Sequence, residues 1–244
     1  MTVKEIHIFH KKKLSLHYPI ITSESLILGI LLAIVGGFLD AYTFVGRGGV
    51  FSNAQTGNLV LVGISLFKRN WAQFLHASMP ILGFIIGVMT YETIKDKNFI
   101  IFIKNSLSLY IILTIEILLF LIIGFVPRTV SNIFVNVTIS FAASLQYCSF
   151  RKLVGSPFAT TMCTGNLRSA SHAAYIAITQ KNHESIIKAI RYFVIIFSFL
   201  SGAFLGGFFT INIGDHSIWV VCVLLTFCLI SLIISNQITN RQND

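Results

Sequence analysis

The chain has 244 residues, of which 55% are hydrophobic and 11% charged. A soluble domain carries about a quarter charged residues, so this composition excludes a water-soluble particle. The formal net charge of +9 would point to nucleic acid in a soluble protein. Here the basic residues gather at the N-terminus and in short connections, which fits topology signals and contact with anionic lipid instead.

A spanning helix needs about 20 apolar residues, because the hydrocarbon core is about 30 Å thick and each residue rises about 1.5 Å. The N-terminal "HKKKLSLHYPI" (residues 10–20) has no short apolar core followed by a cleavage site. The apolar run after it therefore reads as an uncleaved first helix, not a signal peptide. That first spanning segment is 25–45. The next stretch, "GRGGVFSNAQ" (46–55), is too rich in glycine for a regular helix. It leads into an apolar run at 56–67, roughly 18 Å of helix and too short to cross. Spanning segments follow at 71–93, 106–125 and 129–149. A second irregular stretch, "RKLVGSPFATTMC" (151–163), leads into a second short run at 164–178. The last spanning segments are 187–211 and 217–235.

This order repeats. "FLDAYTF" (38–44) stands against "SLQYCSF" (144–150), "TGNL" (56–59) against "TGNL" (164–167), and "GFIIG" (83–87) against "GAFLG" (202–206). Three matches in one register indicate an internal duplication. Non-helical backbone survives at membrane depth only where protein or a water-filled cavity satisfies it. Each short run either dips in and returns or crosses together with its leader.

The basic residues favour dipping. It places the N-terminal lysines, Lys95, Lys97, Lys104, Arg151, Lys152, Lys181, Lys188, Arg191 and Arg241 in the cytoplasm. Only Arg47, Lys68, Arg69 and Arg128 stay outside, as the positive-inside rule prefers. The expected fold is thus an all-α polytopic membrane protein. It has six transmembrane helices plus two re-entrant half-helices in a 3+3 inverted repeat. Residues 1–22 form a basic cytoplasmic tail, 23–126 the first repeat, 127–236 the second and 237–244 a short C-terminal tail. Both termini face the cytoplasm.

In this arrangement the two TGN elements enter from opposite faces and aim their N-termini at each other. The first N–H groups of a helix are unpaired and carry partial positive charge. Thr56 and Thr164 are natural N-caps. Gly57 and Gly165 permit close approach of backbone to a ligand. Asn58 and Asn166 offer amide donors and acceptors. Half-helices at an inverted-repeat interface are a recurrent way to build a transport site. The plainer alternative is that TGN only starts a helix and lets its leader pack.

Charged groups at membrane depth are costly and face the bundle interior. Asp40 precedes the first leader, and its counterpart in the second half is Gln146. Arg168, in the second short helix, either couples to Asp40, faces an anionic solute or snorkels to the interface. Glu116, in "IILTIEILLFL" (111–121), is either a proton-coupling carboxylate or a neutral acid held between helices. His76 and His172 lack the neighbours of a metal site. Cys148, Cys163, Cys222 and Cys228 show no CxxC spacing and read as small buried side chains. The GxxxG pairs Gly83/Gly87 and Gly202/Gly206 read as packing ridges.

"GGFLDAYTFVGRGGVFSNAQTGNLV" (36–60), together with "SFAASLQYCSF" (140–150) and "TTMCTGNLRSA" (160–170), resembles the YoaK family of bacterial membrane proteins, also called DUF1275. The resemblance runs from about residue 26 to about residue 235. The motif positions it carries over are Asp40, Asn53, Thr56, Gly57, Asn58, Thr164, Gly165 and Asn166. It implies a six-helix protein of the bacterial inner membrane and implies no activity. The basic leader before Tyr18 lies outside it.

The expected function is passage of a small polar or anionic solute, as transporter or channel. The solute would meet Asp40, Asn53, Thr56, Gly57, Asn58, Gln146, Thr164, Gly165, Asn166 and Arg168, with Glu116 for proton coupling. No catalytic group, metal or cofactor is expected, because no Ser/His, HExxH or paired-carboxylate arrangement is present. The expected partners are the lipid bilayer and the solute, with no nucleic acid; a homo-oligomer is compatible with the sequence. The rival is a non-transporting scaffold or accessory protein.

Overall fold

Serine hydroxyls and asparagine amides set the helix starts. Ser25 Oγ accepts the N–H of Leu28 at 3.3 Å, and the apolar run that follows forms α1 (Leu26–Gly46). After it come α2 (Gln55–Phe67), α3 (Trp71–Asp96), α4 (Asn105–Ile123) and α5 (Asn132–Ser149). A hairpin pairs β1 (Lys152–Leu153) antiparallel with β2 (Ser156–Pro157). Then come α6 (Cys163–Gln180), α7 (His183–Ile213), a 3-10 turn (Gly214–Ser217) and α8 (Ile218–Asn243). This computed structural model describes residues 25–96, 105–150, 152–153, 156–157 and 163–243. The basic tail 1–22, with Tyr18, and the charges Lys97, Lys104 and Arg151 lie outside the described residues.

Among the described residues three stretches are long and apolar enough to cross a membrane: Leu26–Gly46, Trp71–Lys95 and His183–Ile238. The third contains α7, the turn and most of α8. Helices α1, α3, α4, α5, α7 and α8 lie over the six expected segments, with shifted ends, but the apolar part of α4, Leu109–Ile123, is shorter than those stretches and α5 is not among them. α7 starts four residues before the expected 187, because Asn182 Oδ1 accepts the N–H groups of Glu184 at 2.9 Å and Ser185 at 3.3 Å. α8 continues to Asn243, so most of the expected C-terminal tail is helix. α6, with 18 residues, is about 27 Å long and longer than expected. Outward faces carry large apolar side chains such as Phe67, Ile178 and Ile211, which are 88%, 79% and 73% exposed. A bilayer, not water, is the solvent that fits such a surface.

Glycines decide which helices touch. A Cβ on Gly202 of α7 would fall on the Ile34 carbonyl of α1, and one on Gly206 on the Phe38 carbonyl. A Cβ on Gly83 of α3 would meet the Val137 carbonyl of α5 at 2.9 Å, and one on Gly87 would fall on Ser144 Oγ. Both GxxxG ridges therefore let backbones meet directly. The contacts advance in the same direction on both partners, so α1 runs parallel to α7 and α3 parallel to α5. The exchange is reciprocal: the first long helix of each half packs on the GxxxG helix of the other. α4 and α8 run antiparallel, with Tyr110 Oη donating to the Leu232 carbonyl and Trp219 Nε1 to the Leu121 carbonyl, both at 3.3 Å. Phe38, Tyr42, Leu113, Phe120, Ile139, Ile218 and Leu225 fill the core between α1, α4, α5 and α8. A second cluster joins Ala33 of α1 to Ala170 of α6 and to Tyr192 and Ile195 of α7.

The short helices end alike. After α2 the chain turns through Arg69 at φ 53°, and after α6 through Lys181 at φ 50°. In each case an asparagine follows and caps the next helix: Asn70 Oδ1 accepts the Gln73 N–H at 3.1 Å, as Asn182 does for Glu184. Left-handed backbone is uncommon for residues other than glycine, and it recurs at the turn after each short helix.

Candidate functional site

The site is built around the start of α2. Arg47 N–H closes α1 on the Thr43 carbonyl at 3.0 Å. Gly48 at φ 99° and Gly49 at φ 73° then reverse the chain, and residues 50–54 run back alongside α1. There the leader finds side-chain acceptors. Thr43 Oγ1 accepts the Ser52 N–H at 3.2 Å. Asp40 Oδ1 accepts the N–H groups of Asn53 at 2.9 Å and Ala54 at 3.1 Å. A carboxylate from a neighbouring helix thus satisfies the donors where α2 begins and supplies the negative charge its positive end favours.

This displaces the expected caps. The residue preceding α2 is Ala54, with no side-chain cap, and Thr56 is the helix's second residue and exposed. α6 begins at Cys163, so Thr164 also lies inside its helix. With Asp40 reaching across, no hydroxyl is needed at the start of α2.

The depth of this tip follows from its partners. Gln55 Nε2 donates to Ser140 Oγ at 2.7 Å, and Ser140 Oγ donates to the Pro80 carbonyl at 2.6 Å. Asp40 lies six residues before the end of α1, Ser140 eight residues into α5 and Pro80 nine residues into α3. At 1.5 Å per residue the tip sits roughly 9–14 Å in from that end of the bundle. All three helices share the end, since Asn136 Nδ2 of α5 donates to the Arg47 carbonyl at 2.9 Å.

Asn58 is fully spent on its own leader. Its Oδ1 accepts the Phe51 N–H at 2.9 Å, and its Nδ2 donates to the Phe51 carbonyl and, at 2.8 Å, to Gln55 Oε1. Gly57 leaves room for the Phe51 ring, on which a Cβ would fall. That ring also stacks on Phe44 at 4.9 Å. Unspent capacity lies in the same leader and at Asp40: among the described residues, Asp40 Oδ2, Ser52 Oγ and both polar atoms of the Asn53 side chain are buried without a hydrogen-bond partner.

α6 starts on the Asp40 side of the bundle. Cys163, its first residue, is within electrostatic range of the Asp40 carboxyl. Seven residues on, Ala170 packs against Ala33, seven residues before Asp40. α6 therefore runs antiparallel to α1, away from Asp40. Asn166 is buried, while Thr164 and Gly165 are exposed and a Cβ on Gly165 would touch nothing among the described residues.

Other expected site residues lie apart. Arg168, sixth in α6, is exposed and makes no ion pair among the described residues, so it is not coupled to Asp40. The axial step of about 7.5 Å from Cys163 and its outward direction explain the separation. Gln146 donates from Nε2 to Glu116 Oε2 at 3.3 Å, and both are buried. The counterpart of Asp40 is thus paired with a carboxyl from α4.

A charged cluster escaped sequence reasoning. Arg47 is fully buried, donating from Nε to Tyr42 Oη and from Nη2 to the Val126 carbonyl, both at 3.1 Å. Its Nε lies 3.6 Å from Asp215 Oδ1, and Arg128 Nε donates to Asp215 Oδ2 at 3.0 Å. The dipping topology already put these three connections on one face; that was the available signal.

A family model described as "Protein of unknown function (DUF1275)" matches residues 28–231. The chain is similar to the UPF0700 transmembrane protein YoaK of Bacillus subtilis (strain 168), with 25% identity over 140 residues, 57% of this chain and 62% of that protein. The match thus spans less than two thirds of that relative's length. No solved structure matches.

Proposed function

This chain belongs to the DUF1275 family, and from that premise we propose that it passes a small polar solute across the bacterial inner membrane, as transporter or channel. In this reading α1, α3, α4, α5, α7 and α8 cross the membrane. α2 and α6 dip in from opposite faces as the half-helices of a 3+3 inverted repeat, with both termini cytoplasmic. The alternating helix directions, the reciprocal glycine packing and the matched turns at Arg69 and Lys181 support that architecture.

One observation carries the solute site: Asp40 Oδ2, Ser52 Oγ, Asn53 Oδ1 and Asn53 Nδ2 at the tip of α2 are buried and have no partner among the described residues. A buried polar atom without a partner costs about 1–3 kcal/mol. Several at one place mark a spot where a guest completes the bonds. Asp40 already provides the anion that the electropositive helix starts favour, so a polar solute with donor groups fits better than an anionic one. Thr56 and Gly57, and from the other side Thr164, Gly165 and Asn166, border the path. The Glu116–Gln146 pair is the candidate for proton coupling. The reading invokes no catalytic group and no cofactor.

The hydrogen bonding of Asn58 favours a second reading, a non-transporting scaffold in which TGN locks the leader. Asn53→Ala separates the two. Among the described residues no group pairs with that side chain, so the variant is expected to keep or raise its melting temperature. After a thermal-shift screen has found a stabilising solute, flux into liposomes is lost in the variant if Asn53 binds the solute. Unchanged flux, or no solute that stabilises the protein, favours the scaffold.

A further inference from the structure

At the end of the bundle opposite the Arg47 cluster, α6 and α7 leave a cavity of 310 Å³ between them. Ser169, His172 and Ile176 line it from α6, and Ser185, Lys188 and Tyr192 from α7. We propose that this cavity holds the phosphate headgroup of an anionic phospholipid.

Charge is the first argument. Lys188 is exposed and makes no ion pair among the described residues. Lys181 and Arg191 lie on the turn and the same helix, and Arg168 stands near Ser169 on α6. The carboxylate in these two helices is Glu184, on the first turn of α7. Two hydroxyls, an imidazole and an uncompensated ammonium are the donor set a phosphate monoanion takes.

Depth is the second argument. Lys188 lies five residues into α7, about 7.5 Å from its start, where a long side chain reaches the headgroup layer. The surfaces flanking the cavity are apolar and outward-facing: Tyr175, Ile178, Ile187 and Ile190 are each at least half exposed. Free phosphate has no use for such walls, whereas acyl chains cover them. Basic pockets between transmembrane helices are a known form of headgroup site. The proposal stands independently of solute passage.

The test is native mass spectrometry of the full chain with phosphatidylglycerol or phosphatidylcholine of identical acyl chains. Phosphatidylglycerol is retained preferentially. Lys188→Gln lowers that retention about five-fold, the worth of one cation near a headgroup, and Lys188→Arg keeps it. Lys95→Gln, a lysine at the same end held 3.3 Å from Glu92, changes nothing. Equal retention of the two lipids, or full retention in Lys188→Gln, overturns the proposal. Stabilisation by millimolar sodium phosphate without lipid retention also overturns it and assigns the cavity to a free anion.

Discussion

At the start of α2 the glycine and asparagine of the Thr-Gly-Asn triplet are held in place, while Thr56 is exposed. Asp40 holds the preceding N–H groups, Phe51 covers Gly57, and Asn58 is bonded back to Phe51. At the start of α6 Thr164 and Gly165 are exposed, and among the described residues nothing stands where a side chain on Gly165 would go. In both, the asparagine turns inward: Asn58 is 0% and Asn166 4% exposed. The repeated word therefore specifies a helix start with a buried amide. The long helix before each copy differs: it carries Asp40, which accepts the leader's N–H groups, in one half and Gln146, bonded to Glu116, in the other. A duplicated motif can keep its geometry while only one copy keeps the charge.

The largest effect that sharpens this contrast is expected from Asp40→Ala. Removing the carboxyl leaves two N–H groups at the tip of α2 without an acceptor, a cost of about 3 kcal/mol or more. Gln146→Ala removes one bond to Glu116 and costs less, about 1–3 kcal/mol. Melting temperatures of the two purified variants check the order, and a reversed order breaks the assignment of Asp40 as the cap.

Asn58→Ala comes next. It strips the Phe51 N–H and carbonyl of their partners at a buried position, for about 2–3 kcal/mol, and frees the leader to exchange its amide hydrogens. Hydrogen exchange across residues 50–57 rises in the variant while that of α7 does not. An unchanged leader would show that Phe44 and Phe51 alone hold it.

Asp40 and the two GxxxG ridges could be read from the chain because each is a local anomaly in an apolar run. The role of Asn58 could not: its partner is a backbone group in an irregular stretch, which no periodicity marks. Thr56 was expected to cap α2 because hydroxyls do so when nothing else is at hand. A carboxylate thirteen residues away in sequence, brought near by the Gly48–Gly49 reversal, took the place. Arg47 looked like a loop charge, since its burial depends on the turn between α7 and α8, far along the chain. Long-range pairing of this kind leaves no trace in spacing.

The two glycines give opposite signs. Gly57→Ala drives a methyl into the Phe51 ring, and overpacking of this kind costs about 1–3 kcal/mol. Gly165→Ala meets open space in a helix and gains up to about 1 kcal/mol of helix propensity. Thermal unfolding of both variants measures the pair. Two losses of equal size would mean that the tips are equally tight, and the contrast between them would fall.

The smallest effect is expected from Arg168→Ala. The side chain is exposed and unpaired with Asp40, so stability moves by less than about 0.5 kcal/mol. Flux, once a solute is found, should also hold. The reason lies in how charge is distributed at the start of α2. Asp40 accepts the N–H groups there, so the positive end of that helix already has its anion. An arginine further down α6 has no negative charge left to balance there. If flux fell with melting unchanged, Arg168 would be reaching an anionic solute from the open side. The second tip, not the first, would then be the one that recognises it.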